Sequence, residues 1–394
     1  MQDVVIAGAV RTAIGRFGGA LARVPATELG AAVIRAALER TGVQPDDIDE
    51  VIMGQVLQAG VGLNGARQAA IKAGIPVGVP SYTVNKVCAS GLKAVALAAQ
   101  AVAAGEADFI VAGGMENMSA APFLLRDARW GCRLGHAELT DSLLSEALSD
   151  PGARCHMGIT AENIAADLGI ARRDQDKFAA HSQQKAAEAI SAGRFRAEIV
   201  PVDVPGRKGV PVHFDTDEHP RAETTPEVLA TLKPAFKDGG TVTAGNASGI
   251  NDGAAAMLVM SRELAVRRGI EPMAAIRGWA AAGVEPTRMG LGPVPATRAV
   301  LRKAGIDMDE IDAVELNEAF AAQSLAVIRQ LALPAEKLNL NGGAIALGHP
   351  VGASGALIVV TLLHILSDRS LKTGLATLCV GGGQGMSMVV ARAE

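Results

Sequence analysis

With 394 residues, 49% of them hydrophobic and only 20% charged, the chain is too long for one ordinary core and has the composition of a well-buried globular protein of two or three packed units. A formal net charge of -4, with no Lys/Arg run longer than a pair, offers no positive field for a polyanion and argues against nucleic acid as a partner. Cys88, Cys132, Cys155 and Cys379 have neither the density of a disulfide scaffold nor the CxxC spacing of a zinc pair, so reduced thiols in a cytoplasm are expected.

From Asp3 the chain enters the apolar run VVIAGAV directly, without the basic region and cleavable apolar segment of an export signal. An Ala-rich helix from Leu29 precedes an acidic turn, GVQPDDIDEV at 42–51, and a short apolar run, VIMGQV. The next helix opens on Ala89-Ser90-Gly91 and stops at Gly105, and the strand FIVAGG ends in glycines. A long segment with turn clusters such as DEHPRAETTP then intervenes before a strand, AAAMLVM, beginning at Ala254.

The same series recurs downstream: a helix from Thr297, the acidic turn GIDMDEIDAV at 305–314, the run AVELN, a helix opening on Ala353-Ser354-Gly355, the strand ATLCVGGG and a last strand, MSMVVA. Its longest apolar stretch, Ala356 to Leu366, is about half the roughly 20 residues a membrane span needs and reads as a buried helix. Two matches at nearly one offset indicate a duplication, and alternating strands and helices predict a mostly parallel sheet covered on both faces. Residues 1–118, completed by about 249–270, form the expected first half; 119–248 an inserted loop domain for substrate binding and oligomerisation; and 271–394 the second half. Loops carried on a rigid scaffold often bind ligands, although a purely structural insertion has the same composition.

Four residues at element ends carry chemistry. Cys88 stands where β-branched residues give way to a helix, and the unpaired N–H groups and positive dipole end there favour a thiolate; the competing reading is a small buried hydrophobe. His349, between Gly348 and Pro350, projects from irregular backbone that lets a substrate approach, or is a hydrogen-bonded surface group. Cys379 ends a strand before Gly381, Gly382 and Gly383, whose N–H groups could hold an oxyanion. Asn317, between a strand and a helix, positions a water or carbonyl, or is only an N-cap. Because the A-S-G helices are equivalent in the repeat, a pseudo-twofold arrangement would bring Cys88 and His349 to one crevice.

At these segments the chain resembles the thiolase family over its full length. The resemblance is carried by NKVCASGLKA (85–94), GGMENMS (113–119), TVTAGNASGINDGAAA (241–256), ELNEAFAAQ (315–323), GGAIALGHPVGASGA (342–356) and CVGGGQG (379–385). It implies an α/β fold of duplicated αβαβα halves with mixed five-stranded sheets and an inserted loop domain. It makes Cys88 the acylated nucleophile activated by His349, and Cys379 the acid/base. A thioester exchange needs a nucleophile that is also a leaving group, whereas carbon–carbon bond formation needs a separate base. Asn317, through a water, and His349 would form one oxyanion site, and the backbone N–H groups of Cys88 and Gly381 the other.

The segment CHMGITAEN (155–163) is similar to the biosynthetic, acetoacetyl-CoA type. By that resemblance His156, Met157 and Met289 bound a short-acyl pocket, Ser248 meets the pantetheine, Arg221 the nucleotide end, and Leu148, Phe236, Ala319 and Phe320 form apolar walls. The implied substrates are acyl-CoA thioesters, with no other cofactor, no metal and no membrane. The implied assembly is a homotetramer, a dimer of dimers, although Phe123 stands in the tetramerisation segment where many relatives have a polar residue. Four rivals remain on the residues: a broader 3-ketoacyl-CoA thiolase, a decarboxylating ketoacyl synthase, a non-catalytic thiolase-like CoA or lipid binder, and a zinc site of Cys88, Cys379 and His349.

Overall fold

In the computed structural model, which describes residues 3–206 and 210–393, the first copy of the repeat comprises β1 (Val4–Thr12), α1 (Ala26–Thr41), β2 (Glu50–Gly54), α2 (Gly65–Lys72), β3 (Ser81–Val84), α3 (Ser90–Ala104) and β4 (Phe109–Asn117). The insertion carries α4 (Met157–Asp167) and α5 (Arg172–Ser191), and the chain returns as β5 (Asn251–Ser261) and α6 (Arg262–Arg268). The second copy comprises β6 (Ala274–Gly283), α7 (Pro293–Ala304), β7 (Ala313–Leu316), α8 (Ala321–Leu331), α9 (Val351–Asp368), β8 (Thr373–Val380) and β9 (Gln384–Arg392).

The repeat has a local physical basis. Both α1 and α7 stop at a left-handed glycine, Gly42 and Gly305. Each acidic turn is a single 3-10 turn closed by a capping box, Gln44 with Asp47 and Asp307 with Glu310. Next, Asp49 accepts from the N–H groups of Asp108 and Phe109, and Asp312 from those of Lys372 and Thr373. Each aspartate thereby ties the start of one parallel strand to its neighbour.

The main strands form one sheet in the order β7-β8-β9-β6-β1-β5-β4-β2-β3, the halves meeting where Val5 and Ile6 pair with Ala275 and Ala274. The sheet is mixed and less parallel than strand–helix alternation suggests. β2 runs parallel to β3 and β4, and β7 to β8, but β5 and β9 lie antiparallel to their neighbours. In the second half the glycine turn after β8 makes a direct hairpin, which forces that direction. The first half has its five strands, whereas the second has four and the lone bridge Val314–Leu338 at its edge. Strand pairing gives way there to Asn339, whose side chain takes the Leu316 N–H at 2.8 Å and donates to the Leu316 carbonyl at 2.9 Å.

Helices α3 and α9 lie together in the central layer and pack against one face of each half. α1 and α2 cover the other face of the first half, and α7 and α8 that of the second. A Cβ on Gly355 would stand 2.5 Å from the Leu92 nitrogen, and one on Gly91 2.7 Å from the Ala356 nitrogen. The matched A-S-G segments are thus the point where the two equivalent helices touch. The insertion is tied back to the main sheet, where Ile199 and Val200 pair with Arg11 and Thr12. Buried Arg11 clamps it further, bonding Glu198 at 2.6 Å and Asp217 at 2.7 and 2.9 Å.

Candidate active site

The loop between β3 and α3 is wound tightly enough to strain its backbone. Ser90 Oγ accepts from Lys86 N–H at 2.8 Å and donates to the Val87 carbonyl at 2.6 Å, and Asn85 Oδ1 accepts from Val87 N–H at 3.0 Å. Val87 is held at φ 50°, a conformation a β-branched residue avoids. Cys88 follows, with its own N–H and that of Gly381 directed at its sulfur. Burial nevertheless pushes the thiol up to about 11. Desolvation of this partly buried thiol thus works against the thiolate expected from the helix start, outweighing the two N–H groups.

His349 is held from two sides. Its N–H donates to Asn251 Oδ1 at 2.9 Å, and its ring Nδ1 lies 2.5 Å from Ser354 Oγ. The one hydroxyl proton of Ser354 goes to the Pro350 carbonyl, 2.8 Å away, so Ser354 accepts from Nδ1–H and Nε2 is left as the basic nitrogen. Burial lowers the imidazole to about 4, which keeps it neutral at pH 7.

Cys379 is fully buried on β8, opposite Gly385 of β9. Burial raises its thiol, and the nearby Cys88 adds to the shift, which places the two sulfurs within electrostatic reach. At Gly381 a Cβ would stand 2.5 Å from Met157 Cε and 3.2 Å from Val87 Cγ1, so a larger residue in this turn would have to displace the end of Met157. The insertion pins the turn from the other side: Asp150 accepts from Gly382 N–H at 2.9 Å while its other oxygen takes Gly152 and Ala153.

Cys88, His349 and Gly381 border a cavity of about 820 Å³. Each expected wall residue lines it: Leu148, His156, Met157, Arg221, Phe236, Ser248, Met289, Ala319 and Phe320. His156 stacks on Phe236 at 4.7 Å, and Phe236 meets Phe320 edge-on at 6.0 Å. Cys379 lies outside the lining, in the core cluster that includes Ile164, Met289 and Phe320.

Asn317 also lies outside it. It is no N-cap, since α8 begins at Ala321 and the Asn317 N–H is paired with the Thr377 carbonyl at 3.0 Å. Its buried Nδ2 has no protein partner, and the residue lines a separate small pocket. Among the described residues no group of three His, Cys, Asp or Glu side chains is arranged to hold a metal ion.

Sequence reasoning missed His219, which borders the large cavity beside Arg221 and whose pKa burial lowers. It also missed Asp150 and the role of Ser354. The matched A-S-G tripeptides were a signal for Ser354, but they marked topology and gave no view of which side chain each serine meets.

Residues 4–263 match the family model described as the thiolase N-terminal domain, and residues 270–392 that of the thiolase C-terminal domain. The chain is 60% identical over 392 residues to the acetyl-CoA acetyltransferase of Pseudomonas aeruginosa and 57% identical over 393 to that of Escherichia coli, with 100% of each chain covered in both comparisons. Its structure superposes on the Bacillus anthracis acetyl-CoA acetyltransferase with a TM-score of 0.98 at 46% identity, covering 100% of this chain and 99% of that one. The human mitochondrial 3-ketoacyl-CoA thiolase gives 0.96 at 42% identity with the same coverage. The strained cysteine loop, the histidine held by Ser354 and the buried second thiol thus sit on a duplicated frame matched from end to end, and the chain belongs to the thiolase family.

Proposed function

We propose that the large cavity condenses two acetyl-CoA molecules to acetoacetyl-CoA and free CoA, reversibly, through an acyl-Cys88 intermediate. One observation carries the reading: Cys88 and His349 share a cavity wall with Gly381, two residues beyond the second thiol, Cys379. Relatives bearing the name acetyl-CoA acetyltransferase, at 60% and 57% identity, support this substrate class.

The protonation states suit a cycle in which both thiols start neutral. His349 Nε2 takes the Cys88 proton as the sulfur attacks the acetyl carbonyl. The carbon–sulfur bond to CoA breaks, and Cys379 gives its proton to the departing thiolate. Cys379, now a thiolate in a buried site, is a strong base and removes the α-proton of the second acetyl-CoA. The resulting enolate carbon attacks the acyl carbonyl, and the released Cys88 thiolate recovers its proton from His349. The N–H groups of Cys88 and Gly381 serve one carbonyl oxygen, and His349 with a water on Asn317 serves the other. Each such donor is typically worth about 2.7 to 4 kcal/mol.

Met157 and Met289 limit the acyl end to short chains, and no cofactor is needed beyond the thioester substrates. Exposed Trp130, Leu134 and Leu139 on the inserted segment support a homotetramer, and four unpaired cysteines suit a cytoplasmic enzyme. Incubation with radiolabelled acetyl-CoA tests the assignment. Cys88→Ala should take up no label, whereas Cys379→Ala should be labelled and condense poorly. Equal loss of labelling in both variants would refute the division of labour. Thiolysis of 3-ketoacyl-CoAs of increasing length separates this reading from a broader-chain enzyme.

A further inference from the structure

Beside Ser354 and Asn317 lies a small pocket of about 30 Å³. Its wall is more polar than a core position requires: Arg11 from β1, Glu315 and Asn317 from the end of β7, and Ser354 and Thr361 from α9. Three buried polar atoms in and around it have no protein partner: Asn317 Nδ2, Glu315 Oε1 and Glu198 Oε2. Glu198 is held through its other oxygen by Arg11 at 2.6 Å and Thr361 at 3.1 Å. One water needs about 10–15 Å³ of such space, so there is room for about two, and unpaired buried polar atoms cost about 1–3 kcal/mol each unless water meets them.

Glu315 is the group that ordinary packing does not explain. It is 4% exposed, and the charged groups that act on it are Glu318, Glu198 and Lys185, with Arg11 across the cavity. Arg11 is already committed to Glu198 and Asp217, and Lys185 Nζ donates to the Leu338 carbonyl at 2.8 Å. Glu318 is engaged by Ser182, Asn339 and Ile345. Arg11 is thus paired elsewhere, and Lys185, which opposes a rise in the Glu315 pKa, makes no hydrogen bond to Glu315.

We propose that Glu315 is a positioning residue: with water in this small pocket it orients the Asn317 amide and, through Ser354, steadies His349 from behind. It does so as the neutral acid. A protonated carboxyl offers that water both a donor and an acceptor, whereas an ionised one would add a third negative charge beside Glu198 and Glu318. Burial, followed by those two acids, raises Glu315 well above the carboxylate range, in keeping with this state. The inference rests on the condensation proposed for the large cavity, in which Asn317 and His349 serve the developing oxyanion.

The test compares Glu315→Gln, which keeps a donor and an acceptor without charge, with Glu315→Leu, which keeps only volume. Acetoacetyl-CoA thiolysis should lose about tenfold in kcat in the leucine variant with KM unchanged, the worth of one hydrogen bond. The glutamine variant should recover most of that loss. Infrared spectra of the wild type at neutral pH should show a protonated-carboxyl band that vanishes in Glu315→Gln. A glutamine variant as slow as the leucine one, a leucine variant at wild-type kcat, or no such band would each overturn the proposal. Labelling of wild-type Cys88 by acetyl-CoA keeps the two readings apart: its failure would strike the condensation itself, whereas the Glu315 variants are judged only when it succeeds.

Discussion

His349 Nδ1 stands 2.5 Å from Ser354 Oγ, and that hydroxyl is already committed to the Pro350 carbonyl at 2.8 Å. The serine therefore sets the imidazole tautomer without bringing a negative charge to it. Ser354→Ala would leave a buried N–H unpaired, at a cost of about 1–3 kcal/mol. If that cost falls on the orientation of the ring, single-turnover acylation of Cys88 should slow by about tenfold or more. Acylation at the wild-type rate would show that packing alone holds the ring.

The Cys88 thiol, pushed up to about 11 by burial, should behave as a latent nucleophile. Below its pKa each pH unit multiplies the thiolate about tenfold. Alkylation of Cys88 in the free enzyme, followed by peptide mass analysis, should therefore climb continuously from pH 7 to pH 10. A plateau below pH 8 would mean that the two N–H groups outweigh desolvation after all.

Glu116 offers a stability test with a definite sign. It accepts the N–H groups of Val56, Leu57 and Gly352 and so ties a loop of the first half to the start of α9. Burial, against those three bonds, raises its carboxyl from 4.5 to about 7. Between these values the folded protein holds a proton that the unfolded chain has released, so this group's contribution to stability falls as pH rises. Across the window the change is roughly 3 kcal/mol. In urea unfolding the wild type should lose its advantage over Glu116→Gln as pH goes from 4.5 to 7.5; a pH-independent difference would contradict the shift.

The contact between α3 and α9 gives a packing test. A methyl at position 355 would stand 2.5 Å from the Leu92 nitrogen, so Gly355→Ala must push the two helices apart. Overpacking of this kind costs typically about 1–3 kcal/mol. Because these helices carry Cys88 and His349 at their starts, kcat should drop together with the urea midpoint. Full activity in a destabilised protein would show that the site is positioned independently of the helix contact.

Much of the frame was legible because its signals are local. Left-handed glycines after α1 and α7, acidic residues that close capping boxes and the paired A-S-G segments each act within a few residues of chain, so they repeat visibly at an offset of 263 or 264. Strand direction was less legible, since β5 arrives only after the long insertion while β9 follows a three-glycine turn. At the site, the pocket walls were named through resemblance. The unpaired amide of Asn317, the aspartate that pins Gly382 and the partnerless Glu315 were not, because each depends on groups far away in the chain.

The sequence by itself determined which chemical groups are available: two thiols, one imidazole and an asparagine, each at the end of an element where backbone geometry leaves a side chain free to act. It also determined the duplication that makes their carriers equivalent. Only the tertiary structure decided their state. Burial turns the expected Cys88 thiolate into a thiol and keeps His349 neutral, and Ser354 chooses which nitrogen of that ring is basic. A residue's ionisation is set by the solvent it loses and the dipoles it meets, and the burial of both sites is completed by segments far away in the chain, so a local pattern shows the groups and not their state.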